Sequence, residues 1–195
     1  MTVTLRKKDD IFTYDLPRKW PAPPKDAPMS VEYFTRFCSA LAAEQGCSFS
    51  FLSHRRVFTC RPSTQLNTSL VLPETQYISL DQWKLKRTMW SEDEYHYTGV
   101  GIVIDGKLVS WCVENSHYLS DYETEIGVWT EHSHRFKGYA TSNVVFLCDQ
   151  LMKMGYRLVV YSTDVQNEAA IGVTRKAGLE DDGEAWHLVF EKKKS

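Results

Sequence analysis

The chain has 195 residues, with 23 Lys and Arg against 25 Asp and Glu, and is 43% hydrophobic and 13% aromatic. That is enough apolar material for one ordinary core, and it excludes a globally disordered chain. The near-neutral charge argues against a general nucleic-acid binder but leaves room for a small anion held at a local positive site.

Cys38, Cys47, Cys60, Cys112 and Cys148 include no C-x-x-C pair, so they read as buried thiols of a reducing compartment. The first residues, "MTVTLRKKDDIF", have no apolar signal region, and no apolar run is long enough to span a bilayer. The expectation is a cytoplasmic protein with neither a nucleic-acid nor a membrane partner.

In chain order, "DLPRKWPAPPKDAPMS" holds five of the seven prolines and predicts an extended connector. Ser30 caps a helix whose Val31, Phe34, Cys38 and Leu41 share one face, ending at Gly46. "CSFSFLSHRRVFTCRP" predicts two short strands around His54–Arg56, and "STQLNTSLVLPETQY" is ambiguous. Ser79-x-x-Gln82 has the spacing of a capping box and predicts a short helix near 80–91.

"TGVGIVIDGKLVSWCVE" places two β-rich runs around Asp105-Gly106, a dipeptide suited to a tight hairpin turn. "YETEIGVWT" is a further strand. A helix near 138–154 follows, with Val144, Leu147, Leu151 and Met154 at helical spacing and Gly155 as its stop. "YRLVVYSTDV" is a buried strand, "NEAAIGVTRKAG" a helix ending on Gly178, and "EAWHLVFEKKK" a last strand with a charged tail. The fold class is α/β, a mixed sheet in which antiparallel strands precede a β-α-β-α-β unit.

The corner "HRFKGYAT" joins a strand to a helix through one glycine. Helix-start amides lack intrahelical partners, and the helix dipole adds roughly half a positive charge there. Gly138 is then either a plain turn or the floor of an anion cradle, with Arg135 and Lys137 at its rim.

This stretch resembles the pyrophosphate loop of the GCN5-related N-acetyltransferases, Gln/Arg-x-x-Gly-x-Gly/Ala, with Arg135, Gly138 and Ala140 in register. "TEIGVWTEHSH" looks like that family's fourth strand, and Asn167 with "NEAAIGVTRKAGL" like its Asn-led last helix. "ETEIGVWTEHSHRFKGYATSNVVFLC" also resembles the branch that includes a zwittermicin-type antibiotic-resistance acetyltransferase.

The resemblance covers about residues 95–190. It implies one domain over 1–195, with 95–195 binding acetyl-CoA and the variable 1–94 on the acceptor side. It further implies that strands near 123–130 and 157–163 splay apart to admit acetyl-CoA. Val128 and Thr130 would then pair with the pantetheine arm, Phe136, Lys137, Gly138, Tyr139, Ala140 and Thr141 would hold the pyrophosphate, and Asn167, otherwise a helix cap, would contact the cofactor.

The implied activity is N-acetyltransfer from acetyl-CoA to a primary amine of a small molecule, by direct attack in a ternary complex. The alternative is a noncatalytic CoA-binding sensor. A homodimer is compatible, since similar proteins often dimerise.

An amine of pKa about 10 must lose a proton before it attacks, and a departing thiolate, about 8.5, must gain one. Glu125 suits the first task, with Glu123 on the same strand face as its substitute. For the second, many relatives carry a tyrosine seven residues after the helix-initial asparagine, where this chain has Thr174. The thiolate then leaves unaided or through water, or Tyr139 or Tyr161 reaches the sulfur. His132 and His134 are too few for a metal, and Cys148 sits inside a helix. Trp83, Trp90 and Trp111 read as core or as acceptor-pocket walls.

Overall fold

A computed structural model describes residues 2–9, 11–17, 20–27, 29–79, 98–115 and 122–192. Nine strands and three α-helices lie among them, mixed α/β as the sequence predicts. The chain divides into two compact units interleaved in sequence. One is Met1–Val57 with Thr163–Asn167 and Asp182–Ser195; the other is Phe58–Ser162 with Glu168–Asp181. The helix expected near 80–91 lies outside the described residues. No helix among the described residues is long and apolar enough to cross a membrane.

The first unit opens with two strands that the sequence reading did not foresee, β1 (Thr2–Lys8) and β2 (Ile11–Asp15), paired antiparallel from Thr4↔Asp15 to Lys8↔Ile11. β1 also pairs antiparallel with β9 (Glu180–Lys192), from Thr2↔Val189 to Lys7↔Glu184. Val3 and Leu5 are buried while Thr2 and Arg6 are exposed, the alternation of a strand with one covered face. Helix α1 (Val31–Glu44) adds Phe34, Cys38 and Ala42 to the cluster around Leu5, Trp186 and Leu188. Its start is as predicted: the Ser30 hydroxyl accepts the Tyr33 N–H at 3.1 Å.

One expectation fails here. Residues 47–60 form a single 14-residue strand, β3 (Cys47–Cys60), and not two short ones. The polar His54–Arg56 break needs no turn, because Glu184 of β9 takes His54 Nε2 at 2.7 Å and Arg56 at 3.2 Å. His54 also stacks on Trp186, with ring centroids 4.5 Å apart. Cross-strand polar partners let a polar stretch stay extended within a sheet.

In the second unit β4 (Gln76–Tyr77), β5 (Gly99–Ile104), β6 (Lys107–Asn115) and β7 (Glu123–Thr130) form an antiparallel series. The β5–β6 hairpin turns on Asp105 and Gly106, both at positive φ (49° and 75°), as predicted. The ambiguous segment before it contains a 3₁₀ turn at Thr68–Leu70 and then β4.

β7 pairs in parallel with β8 (Leu158–Asp164). Helices α2 (Tyr139–Lys153) and α3 (Glu168–Ala177) pack Val144, Leu147, Leu151 and Ile171 with Ile126, Val159 and Tyr161 in one core. Met154, placed on that face by spacing, is instead the C-cap of α2 and is exposed. Gly178 ends α3 at φ 88°, and a Cβ there would lie 2.5 Å from the Gln65 carbonyl oxygen. Only glycine fits both the turn and that close approach.

Candidate functional site

The parallel ladder between β7 and β8 is short. It runs Glu123↔Leu158, Thr124↔Val159 and Glu125↔Val160, and no register pair follows, although β7 continues to Thr130. The strands therefore part just beyond Glu125.

The phase of the β6–β7 ladder shows what faces the opening. The Glu131 N–H donates to the Val109 carbonyl at 2.8 Å, continuing the Ser110↔Thr130 register. The odd-numbered residues of β7 thus exchange hydrogen bonds with β6, and Val128 and Thr130 turn their backbone groups toward the β8 side. The Thr130 carbonyl is partly used there, accepting from Arg135 Nε at 3.3 Å.

At the C-terminal end of β7 a 3₁₀ turn, His132–His134, leads into the predicted loop. Phe136 has φ 62° and is 99% exposed, so its side chain contributes no packing. Gly138 is the N-cap of α2 at φ 83°, with no side-chain cap. A Cβ on Gly138 would meet nothing among the described residues within 4 Å.

Among the described residues, the amides from Phe136 to Thr141 meet no acceptor; the first α2 bond is Ser142 N–H to the Gly138 carbonyl, at 2.9 Å. A run of unpaired amides at the positive end of a 15-residue helix suits a phosphate. The Arg135 and Lys137 side chains are exposed beside it.

The loop is anchored by a polar network that sequence reasoning missed. Asn143 Nδ2 donates to Ser110 Oγ at 2.9 Å, and Ser110 Oγ lies 2.7 Å from Thr130 Oγ1. Ser142 Oγ lies 2.5 Å from Thr75 Oγ1 and accepts the Leu72 N–H at 2.8 Å. Ser110, Ser142, Asn143 and Thr75 are all buried, so these bonds tie the start of α2 to β6, β7 and residues 72–75 at defined positions. The available signal was "TSN" in the first turn of a helix, where small polar residues reach neighbouring strands.

Glu125 sits on the last rung before the opening, half-buried, and its Oε1 accepts from Ser162 Oγ of β8 at 2.6 Å. This partner was not foreseen. Glu123 shares that strand face.

A second acidic residue, Glu114, is only 4% exposed, but it lies opposite Ile126 on the face packed by α2. There its Oε1 accepts from the Tyr156 hydroxyl at 2.5 Å, and its Oε2 lies 3.4 Å from the Thr98 nitrogen. Burial and this bond push the Tyr156 phenol up to about 12. Glu114 is thus committed to structure, and Glu125 is the carboxylate at the opening.

The other candidates sort by burial. Thr174 is fully buried and donates to the Ile171 carbonyl at 2.9 Å, so its hydroxyl proton is already engaged. Tyr161 is 5% exposed within the core. Tyr139, half-buried, lies beside His134 with centroids 6.5 Å apart. Asn167 belongs to the first unit, directly precedes α3, and donates its N–H to the Asp164 carbonyl at 2.9 Å.

A hydrogen bond with Cys60 and burial raise the Cys148 thiol well above its usual range, so Cys148 is not itself a nucleophile. Among the described residues no group of three or more His, Cys, Asp or Glu is arranged to hold a metal.

The model of the Acetyltransferase (GNAT) family matches residues 64–179, reaching some thirty positions upstream of the resemblance read from motifs. No curated protein sequence matches. Solved structures match in fold. A GNAT-family protein from Novosphingobium aromaticivorans gives a TM-score of 0.63 at 14% identity, covering 76% of this chain and 69% of its own. A GCN5-related N-acetyltransferase from Kribbella flavida gives 0.54 at 18%, covering 76% and 62%. A GCN5-related N-acetyltransferase-like protein from Streptococcus suis gives 0.54 at 14%, covering 82% and 68%. The chain therefore spans 62 to 69% of the length of these three structures.

Proposed function

Because the chain belongs to the acetyltransferase (GNAT) family, we propose that it transfers an acetyl group from acetyl-CoA to a primary amine of a small molecule. The observation that carries this reading is the coincidence of an opened β7–β8 ladder, a half-buried carboxylate on its last rung and a run of unpaired amides at the start of α2.

In this reading the Phe136–Thr141 amides and the Arg135 and Lys137 charges bind the pyrophosphate, and the Val128 and Thr130 backbone orients the pantetheine arm. Acetyl-CoA supplies an activated acyl carbon. Glu125, its Oε1 held by Ser162, receives the amine proton through Oε2, directly or through one water. The nitrogen then attacks the thioester carbonyl, the C–S bond breaks, the thiolate departs, and the acetylated nitrogen releases its remaining extra proton to water. The engaged hydroxyl of Thr174 is no proton donor for the thiolate, so its proton comes from water or from Tyr139.

The test is free-thiol release from acetyl-CoA with a panel of amines, for wild type and Glu125→Gln. Glu125→Gln should lower kcat by about 10²-fold or more, the usual worth of a general base, and leave acetyl-CoA affinity within about twofold. Wild-type binding of acetyl-CoA without turnover of any amine would overturn the transferase reading. It would favour the second one, a CoA-binding sensor, for which the engaged Thr174 is the specific argument. A longer acyl donor is distinguished by mass spectrometry of any cofactor that copurifies.

A further inference from the structure

We infer that the acceptor enters over Gly127, on the sheet face turned away from α2, and that it is a cationic primary amine with a flat apolar group a short linker from its nitrogen. This deepens the transferase reading and rests on Glu125 as the carboxylate that meets the amine.

Along β7 the side chains alternate. Thr124 and Ile126 are buried, Ile126 in the cluster with α2, and Glu123, Glu125, Gly127 and Trp129 line the opposite face. Their order sets the polarity of the surface. Glu125 stands on the last paired rung, where the strands part, and Glu123 lies two residues behind it on the closed part of the ladder; the two carboxylates favour an ammonium group over a neutral or acidic acceptor.

Next comes Gly127, where an added Cβ would meet no atom of the described residues within 4 Å. Among the described residues the strand therefore leaves open space directly beside Glu125, on the side toward Trp129. Beyond it Trp129 stacks on the buried Trp111, with centroids 4.3 Å apart and planes at 28°. The stack makes a rigid apolar wall, and Trp129 is the half-buried member of it.

Glu125 and Trp129 are four residues apart, about 13 Å along a strand, with Gly127 midway. An ammonium at the carboxylate thus leaves room for two or three bonds of linker before a ring lies over Gly127 against the indole. A polyhydroxylated amine would set unpaired hydroxyls against that wall, at a cost in desolvation.

The experiment compares 2-phenylethylamine, ethylamine and putrescine in two measurements: calorimetric binding to the protein saturated with CoA, and kcat/KM with acetyl-CoA. 2-Phenylethylamine should exceed the other two by about tenfold or more, the discrimination an apolar pocket supplies. Gly127→Val should remove that advantage while leaving acetyl-CoA affinity unchanged. Trp129→Ala should lower 2-phenylethylamine binding about tenfold and ethylamine little, and Trp129→Phe should retain most of it.

Equal or better binding of putrescine, or an unchanged 2-phenylethylamine constant in both Gly127→Val and Trp129→Ala, overturns the inference. Binding of 2-phenylethylamine that is sensitive to Gly127→Val, but without acetylation of any amine, upholds the slot and refutes the transfer reading. The two failures are thereby distinguishable.

Discussion

Replacing Gly138 with alanine separates a turn from an anion cradle. At φ 83° a side chain is strained, but an added Cβ meets nothing among the described residues within 4 Å, so no clash with them is added. The cost to the fold is then that of one left-handed residue, roughly 1–2 kcal/mol, offset in part by the lower entropy of alanine in the unfolded chain, about 0.4–1 kcal/mol. The net loss of about 1 kcal/mol corresponds to a fall of roughly 2–4 °C in Tm for a chain of this size.

Ligand binding should suffer more. Relaxing the strain rotates the peptide planes on either side of residue 138 and turns one or two of the Phe136–Thr141 amides out of their common direction. Each hydrogen bond lost to a charged oxygen is worth about 1.5–3 kcal/mol. Acetyl-CoA affinity should therefore fall about 10- to 100-fold, read by calorimetry on the same preparation used for melting. A lowered Tm with unchanged acetyl-CoA affinity would refute the cradle and leave Gly138 as a turn residue. Gly178→Ala is the opposite case: its φ is similar, but its Cβ would lie 2.5 Å from the Gln65 carbonyl oxygen, so it should cost more stability than Gly138→Ala.

Other outcomes follow from single contacts. Ser162→Ala removes the donor to Glu125 Oε1 and should lower kcat about tenfold with acetyl-CoA affinity unchanged; Ser162→Thr should restore the rate, and an equal loss in both would refute the positioning role. Tyr156→Phe strips the buried Glu114 of its hydroxyl donor and should cost about 1–3 kcal/mol in urea unfolding. Because the Tyr156 phenol is raised from 10 to about 12, its contribution is full below pH 10 and is lost as the pH rises toward 12, and Tyr156→Phe should abolish that alkaline loss. In the first unit, burial and the charges of Arg55 and Arg6 lower the pKa of His187 from 6.5. The unfolded chain then takes up the proton first, so stability should fall as the pH drops below about 6.5. His187→Gln should flatten that part of a Tm–pH curve.

The legible parts of this molecule are those where one local rule decides. Ser30, Asp105-Gly106, Gly155 and Gly178 each punctuate the chain by backbone conformation, and each marks the boundary it predicted. The face of α2 was legible from spacing, except at Met154, where the last turn gives way to the cap. The misses share a different cause. β1 needs a partner 180 residues away, and its alternation of Val3 and Leu5 with polar residues is too short to stand out beside "RKKDD". β3 reads as interrupted because His54 and Arg56 look like a turn until Glu184, some 130 residues on, pairs with both.

The site follows the same division, and that decides how its parts should be tested. The shape of the loop was legible because Gly138, at φ 83° before α2, announces its backbone conformation locally. The setting of Glu125, and with it the role proposed for it, depends on long-range register: which residue of β8 stands opposite, where the ladder ends, and that Ser162 reaches the carboxylate. A loop variant should therefore alter cofactor affinity and leave the carboxylate in place. A β8 variant such as Ser162→Ala should alter turnover and leave cofactor affinity in place. Measuring both constants in both variants tests that separation, and a loop variant that lowered kcat at saturating acetyl-CoA as much as Ser162→Ala would show that the two parts are coupled through α2 and its buried Ser110–Asn143 contact.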